Sequence, residues 1–311
     1  MMKPFLIILI IMALSTTIVH AQGCCGVGSL LVAGGHPTLI SGTFFVQAGT
    51  EFSSALNPVR YRGAGSLNVA YGITDRLALS IKTSYIRLYS YEYNDAVIRN
   101  NVVRAPASTT VFDNIDFGDG LAAAQFSIIP MDVITEQELK IGIDLGIPWG
   151  PDQKKMNNAT LPKKSQTGSG AFNAGSFLSY SKSFTAQKLA ASSTIAGRYT
   201  FKNRRGEDPG DEASIVVSAI AGPYWQMRGS VSVSCKAVSA TVDNFGTVEP
   251  STGGSRVDIA PGIEYAFNEQ IKATTSVELP LWRDAYQQRL GNNVGARLSF
   301  LYFIPVFETE K

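Results

Sequence analysis

The chain has 311 residues, enough for one large domain or two ordinary ones, and its 27 basic and 25 acidic residues give a net charge of +2. This charge is too small to indicate nucleic-acid binding. Hydrophobic residues make up 45% of the chain. That content argues against a helical-bundle membrane protein but is compatible with a membrane β-barrel, in which only half of each strand faces lipid.

The first 21 residues have the pattern of a secretory signal peptide. Lys3 supplies a positive charge, residues 5–14 form an apolar core, and a small-residue cleavage site ends at Ala21. The apolar core is too short to cross a bilayer as a helix. We therefore predict an exported protein whose mature chain begins at Gln22.

The mature chain contains the cysteines Cys24, Cys25 and Cys235, and their odd number argues against a disulfide framework. A lipidated Cys24 and a disulfide between Cys24 and Cys25 stay open as alternatives to an unmodified N-terminal segment. Cys235 shares the apolar face of its strand with Val231 and Val233, so we expect a small residue that faces lipid or core.

Most of the chain consists of roughly ten-residue stretches in which apolar and polar residues alternate. Ile271, Thr275 and Leu279 fall on one face of such a stretch, with Lys272 and Glu278 on the other, as expected for a strand with two different environments. Twelve strands are predicted in this way, over residues 39–48, 64–73, 77–88, 117–129, 138–147, 169–182, 189–201, 213–224, 230–242, 255–267, 270–281 and 292–304.

The gaps between these strands alternate between short and long. The gaps after the even-numbered strands are short, whereas those after the odd-numbered strands are mostly long and polar, as in residues 89–116 and 148–168. Short periplasmic turns and longer extracellular loops are typical of outer-membrane barrels, whereas a soluble sandwich has no reason to sort its loops in this way. Aromatic residues near strand ends suit the two membrane interfaces: Tyr71, Tyr85, Tyr89, Tyr180, Tyr199, Tyr224, Trp225, Tyr265, Phe267, Trp282 and Tyr302.

The sequence therefore predicts an all-β protein, a transmembrane antiparallel up-and-down β-barrel of about 12 strands in the cell outer membrane of a Gram-negative organism. Residues 1–21 are the predicted signal peptide and residues 38–311 the barrel. Residues 22–37 form a Gly-rich N-terminal segment that is either a plug of the barrel or a periplasmic leader.

Four short patterns resemble a known family. They are Val-Ala-Tyr-Gly-Ile-Thr-Asp-Arg-Leu at 69–77, Phe-Gly-Asp-Gly at 117–120, residues 143–150 followed by Gln-Thr-Gly-Ser-Gly at 166–170, and Leu-Pro-Leu-Trp-Arg-Asp at 279–284. Together they resemble outer-membrane barrels associated with the meta pathway of phenol degradation, which are described broadly as transporters. The resemblance implies an outer-membrane location and the passage of small solutes, with hydrophobic solutes as one candidate class.

The sequence gives little support for catalysis. His20 lies in the predicted signal peptide, which leaves His36 as the single histidine of the mature chain. A hydrolase needs a nucleophile held beside a base, usually histidine, and no G-x-S-x-G elbow, metal-ligand cluster or phosphate-binding Gly loop occurs. We predict that the protein is not an enzyme and binds no cofactor or metal.

The polar faces of the strands point to the functional surface. Their charges should lie inside the barrel, where buried charges need partners or water. Six basic and four acidic residues predict at most a weak preference for anions. A narrow channel and an interior filled by cross-strand ion pairs both stay open, although twelve strands enclose more space than the eight that side chains can fill. The predicted lumen-lining residues are Lys82, Lys140, Asp144, Arg198, Lys236, Asp258, Glu264, Lys272, Glu278 and Arg297.

The leading functional hypothesis is an outer-membrane channel or transporter for passive passage of small solutes. Its expected partners are outer-membrane lipid, a small-molecule solute and the barrel-assembly machinery, without nucleic acid. The alternative is a non-conducting barrel with a structural or surface-interaction role. A weaker third hypothesis, an outer-membrane hydrolase, depends on His36.

Overall fold

The computed structural model describes residues 41–305 except 57–58, 95–96, 100–101, 106–107, 131–135, 154, 157–158, 161–166, 250–252 and 285–293. The predicted signal peptide lies outside the described residues. So does the Gly-rich segment with Cys24, Cys25 and His36, and these assignments stay predictions.

Strands account for nearly all of the regular structure in the described residues, with one 3-10 turn at Thr185–Gln187. None of the helical structure in the described ranges is long and apolar enough to cross a membrane. In chain order the strands are β1 (Thr43–Leu56), β2 (Val59–Gly72), β3 (Leu77–Asn94), β4 (Val97–Arg99), β5 (Val102–Ala105), β6 (Ser108–Phe117), β7 (Gly120–Ile129), β8 (Gln137–Ile147), β9 (Lys155–Met156), β10 (Ala159–Thr160), β11 (Asn173–Phe184), β12 (Leu189–Thr200), β13 (Glu212–Tyr224), β14 (Met227–Val238), β15 (Thr241–Val242), β16 (Val248–Glu249), β17 (Gly254–Ala266), β18 (Ile271–Arg283) and β19 (Val294–Pro305).

Twelve of these strands form one closed antiparallel barrel. β1 pairs with both β2 and β19, and β2 pairs with β3, so the first and last strands of the barrel meet and no gap is left in the ring. The prediction of an all-β barrel of about 12 strands is therefore confirmed. The order around the ring is β1, β2, β3, β7, β8, β11, β12, β13, β14, β17, β18 and β19.

The interpretation of residues 89–116 as one long loop is wrong in part. β3 continues to Asn94 and pairs with β6, while its first half pairs with β7. Gly118 and Asp119 separate β6 from β7. Because β6 pairs with the part of β3 that lies beyond β7, these two strands extend one wall past the rim of the barrel. β6 contains Asp113, Asn114 and Asp116, and this polar composition gave no clear alternation because a hairpin beyond the bilayer needs no apolar face.

Polar residues lie inside this barrel and apolar residues outside, the reverse of a water-soluble protein. Strand β8 shows the pattern: Ile143 is 60% exposed, whereas Lys140 on the opposite face is 4% exposed. Exposed leucine, isoleucine and phenylalanine recur in the same way on the neighbouring strands. A contiguous apolar surface of this kind is stable in contact with lipid and would cause aggregation in water.

Aromatic side chains mark both edges of this apolar belt. Tyr199 and Phe201 pack edge to face with ring centroids 5.0 Å apart at the long-loop end, and Tyr265 and Phe267 do so at 4.9 Å at the short-turn end. Trp225, in the turn between β13 and β14, is almost fully exposed. Amphipathic rings at these two levels fit the two membrane interfaces.

Cys235 lies on the outer face of β14. Its side chain is exposed and it is a free cysteine, and Val231 on the same face is 40% exposed. The position agrees with a small residue in contact with lipid.

A charge placed on the belt should destabilise the barrel. Ile143→Arg exposes a guanidinium to hydrocarbon, so we expect the free energy of unfolding in lipid vesicles to fall by about 2–4 kcal/mol, measured by urea denaturation. Phe245→Arg, on an exposed residue in the turn between β15 and β16, is the control and should cost less than about 0.5 kcal/mol. Equal losses in both variants would contradict the membrane orientation.

Candidate functional site

The interior face of the barrel carries all ten charged residues singled out by the sequence. Each lies on the less exposed face of its strand, opposite the apolar belt. Lys82, Lys140 and Asp258 are buried. The other side chains keep between 11% and 25% of their surface exposed, and they belong to Asp144, Arg198, Lys236, Glu264, Lys272, Glu278 and Arg297.

Five of the interior charges form a continuous network over strands β17, β18, β19 and β1. Arg256 contacts the Asp258 carboxylate at 2.8 Å and Glu278 Oε1 at 3.0 Å. Glu278 Oε2 accepts a hydrogen bond from Arg297 Nη2 at 2.7 Å, and Arg297 Nε lies 3.4 Å from Glu51 Oε2. Glu278 thus neutralises two arginines at once.

Two further ion pairs lie outside this network. Arg198 on β12 contacts Asp144 Oδ1 on β8 through Nη2 at 3.0 Å and Nε at 3.1 Å. Strand β11 runs between them and places Gly175 directly opposite both residues. Lys236 Nζ lies 2.8 Å from Glu212 Oε1 on the neighbouring strand.

These pairs and the charges next to them lie around most of the interior and are called the charge ring below. Arg198 is the register partner of Glu212 and Lys236 that of Arg256, and Lys82 on β3 lies two strands from Glu51 on β1. β7, with the sequence GLAAAQFSII, contributes no charge. The charge ring consists of five acidic and five basic residues: Asp144, Arg198, Glu212, Lys236, Asp258, Arg256, Glu278, Arg297, Glu51 and Lys82.

A second set of pairs lies near the short turns. Lys140 Nζ is 2.8 Å from Glu138 Oε2, and both side chains are buried. Glu264 Oε1 lies 3.3 Å from Arg228 Nη1 and 3.7 Å from Lys272 Nζ. As in the charge ring, each acidic group contacts a basic one, as low-dielectric surroundings require.

Several interior charges were missed from the sequence. Arg256 and Glu138 share the parity of Asp258 and Lys140, so applying the two-residue period along the whole strand would have found them. The others lie beyond or at the ends of the predicted spans, where strands are longer than the alternation indicated. The missed residues are Glu51, Arg62, Glu138, Glu212, Arg228, Arg256 and Arg283.

At the rim of the barrel, one carboxylate joins the loop between β8 and β11 to the segment between β6 and β7. Asp119, between β6 and β7, accepts hydrogen bonds from the Ser169 hydroxyl at 2.6 Å, the Ser169 N–H at 2.8 Å and the Gly150 N–H at 3.1 Å. Burial raises the pKa of Asp119, although these hydrogen bonds oppose the shift. Both ends of the loop between β8 and β11 are thereby attached to the neighbouring hairpin.

The close approach of Gly168 to Gly150 lets the loop between β8 and β11 reach Asp119. A Cβ atom on Gly168 would lie 2.1 Å from the backbone oxygen of Gly150, and a backbone obstacle cannot rotate away. The loop can lie against the rim only because this position has no side chain.

Gly168→Ala should therefore loosen the loop between β8 and β11. We expect trypsin to cut the loop, which contains Lys154 and Lys163, about tenfold faster in intact vesicles, since cleavage follows the free energy of local opening. Gly197→Ala is the control, because nothing lies within 4 Å of its Cβ position. Equal cleavage rates in the two variants would show that the contact does not restrain the loop.

Within the described ranges there is no group of three or more histidine, cysteine, aspartate and glutamate side chains able to hold a metal ion. His36, on which the hydrolase hypothesis depends, is outside these ranges. The hydrolase hypothesis therefore stays a prediction.

Comparison with known proteins identifies the fold. No family model and no curated protein matches the chain. The crystal structure of an outer membrane channel from Pseudomonas putida F1 aligns over 87% of this chain and 98% of that chain, with 13% sequence identity and a TM-score of 0.61. The NanC porin and the KdgM porin each align over 83% of this chain and 98% of theirs, with identities of 9% and 8% and TM-scores of 0.49 and 0.45. At 13% identity, the likeness to the Pseudomonas channel is one of fold.

Proposed function

We propose that the protein is an outer-membrane channel through which small solutes diffuse passively along the charged barrel interior. The predicted signal peptide supports export, and the apolar belt supports insertion in outer-membrane lipid after delivery by the barrel-assembly machinery. The solute, the lipid and this machinery are the proposed partners.

The residual exposure of interior side chains carries the proposal. Glu278, in the middle of β18, keeps 18% and Arg297 on β19 keeps 15% of the side-chain surface exposed, although both lie on the inner face of a closed sheet. Exposure on that face, away from the strand ends, requires open space within the ring. An interior packed solid would bury these groups as completely as Lys82, which is 2% exposed.

The balance of charge supports a weakly selective pathway. The charge ring contains as many acidic as basic residues, so its field largely cancels at a distance. Arg62 on β2 and Arg283 on β18, the register partner of Arg256, add positive charge beside it. A slight preference for anions follows.

The class of solute is proposed from the apolar part of the interior. Phe45, Ala70 and Ala78 form a buried cluster against which Leu301 and Phe303 pack, with the two phenyl rings 5.0 Å apart. Leu301 and Phe303 are only partly buried, and the apolar surface that they leave on the inner face favours solutes with an apolar portion. It supports hydrophobic small molecules as candidates, in keeping with the resemblance to barrels of the phenol meta pathway.

Solute flux into liposomes tests the channel directly. Folded protein, identified by a change in gel migration on boiling, should cause swelling at rates that fall with solute size, because diffusion is limited by the width of the lumen. Boiled protein is the control. If folded protein causes no solute-dependent swelling, the channel hypothesis is wrong, and the non-conducting barrel with a structural or surface-interaction role takes its place.

Glu278 should limit the anion preference. Glu278→Gln leaves Arg256 and Arg297 without their shared carboxylate, so we expect the permeability ratio of chloride to potassium to rise about two- to fivefold in planar bilayers. Asp113→Asn makes the same change in net charge, but at an exposed pair with Arg87 outside the interior. An equal shift in both variants would mean that net charge, and not the lumen, sets the ratio.

A further inference from the structure

The ion pair between Asp144 and Arg198 joins two strands that are not neighbours. β11 separates β8 from β12, so the two backbones are about 9–10 Å apart, yet the charged groups meet at 3.0 Å. They meet above Gly175. A Cβ atom on that glycine would lie 2.7 Å from Asp144 Oδ2 and 2.8 Å from Oδ1.

Space, and not backbone conformation, is the reason for glycine at this position. Gly175 does not have the positive φ angle that favours glycine at Gly170 and Gly210. A glycine inside a strand weakens it and usually marks a close approach, and the group that approaches is the Asp144 carboxylate. Because this carboxylate ends a flexible side chain, a methyl group would displace it without moving the strand.

The partner that would be released faces a positive region. Lys82 on β3 is acted on by the positive charges of Arg198, Arg297 and Arg62 and by the negative charge of Glu51. Asp144 offsets the charge of Arg198 only while its carboxylate lies over β11.

We propose that Gly175 determines the charge selectivity of the lumen. By carrying no side chain, it allows Asp144 to neutralise Arg198 across β11, and this keeps the pathway open to neutral and weakly charged solutes. With a side chain at position 175, Arg198 loses the carboxylate that lies over β11, and its uncovered positive charge in the lumen favours anions. This inference rests on the proposed channel function.

The test compares two glycine-to-alanine variants in planar bilayers. Gly175→Ala should raise the permeability ratio of chloride to potassium about two- to threefold, measured from the reversal potential in a salt gradient. Gly197→Ala, next to Arg198 on β12 with nothing within 4 Å of its Cβ position, should leave the ratio unchanged.

A background without the arginine separates selectivity from structural disturbance. In Arg198→Gln protein, Gly175→Ala should have no effect on the ratio, since the charge that it releases is gone. Asp144→Asn should raise the permeability ratio as Gly175→Ala does, and the effects of the two changes should not add. If the Gly175→Ala variant does not fold, Asp144→Asn alone provides the test.

The possible failures are distinguishable. A folded wild-type protein that does not conduct removes the channel function and this inference with it. A conducting wild type whose ratio is unchanged by Gly175→Ala and Asp144→Asn overturns the role of Gly175 and leaves the channel intact. An effect of Gly175→Ala that persists in Arg198→Gln protein also overturns it.

Discussion

Closure of the sheet governs the other features of this barrel. In hydrocarbon an unpaired backbone N–H or C=O group costs several kcal/mol, so a sheet can cross a membrane only when it has no free edge. Here β1 pairs with β19 from Thr43 opposite Pro305 to Ser54 opposite Val294. This seam converts a series of hairpins into a ring, and the ring gives each strand an inside and an outside.

The same closure decides the chemistry of the interior. Side chains that point inward lose most of their contact with bulk water, and a lone charge in that position is unfavourable by several kcal/mol. Pairing of opposite charges offsets this cost: each acidic group of the charge ring lies beside a basic one, and Glu278 is shared by two arginines. The arrangement stabilises the wall because removing one partner leaves another charge uncompensated.

Neutralisation of the wall also shapes what the lumen can do. A ring with equal numbers of opposite charges has strong local fields and a weak net field. In the proposed channel it would discriminate poorly by charge, and the remaining selectivity would depend on positions such as Arg62 and on contacts that hold an arginine against its partner, such as the one over Gly175. At the rim, Asp119 plays a comparable part by fixing the loop between β8 and β11 through backbone and hydroxyl hydrogen bonds.

The alternation in the sequence predicts the number of barrel strands, the all-β class and the face on which Lys82, Arg198 or Glu278 lies, because the two-residue period is a local property of an extended chain. Which charges meet depends on the tertiary structure. Asp144 and Arg198 are 54 positions apart, and their contact depends on the register of three strands and on the missing side chain of Gly175. The extension of β3 alongside β6 was also decided at that level, since its polar residues have no need of the alternation that lipid imposes on the belt. Alternation records the surroundings of each residue, whereas register and closure are set by pairing between distant segments.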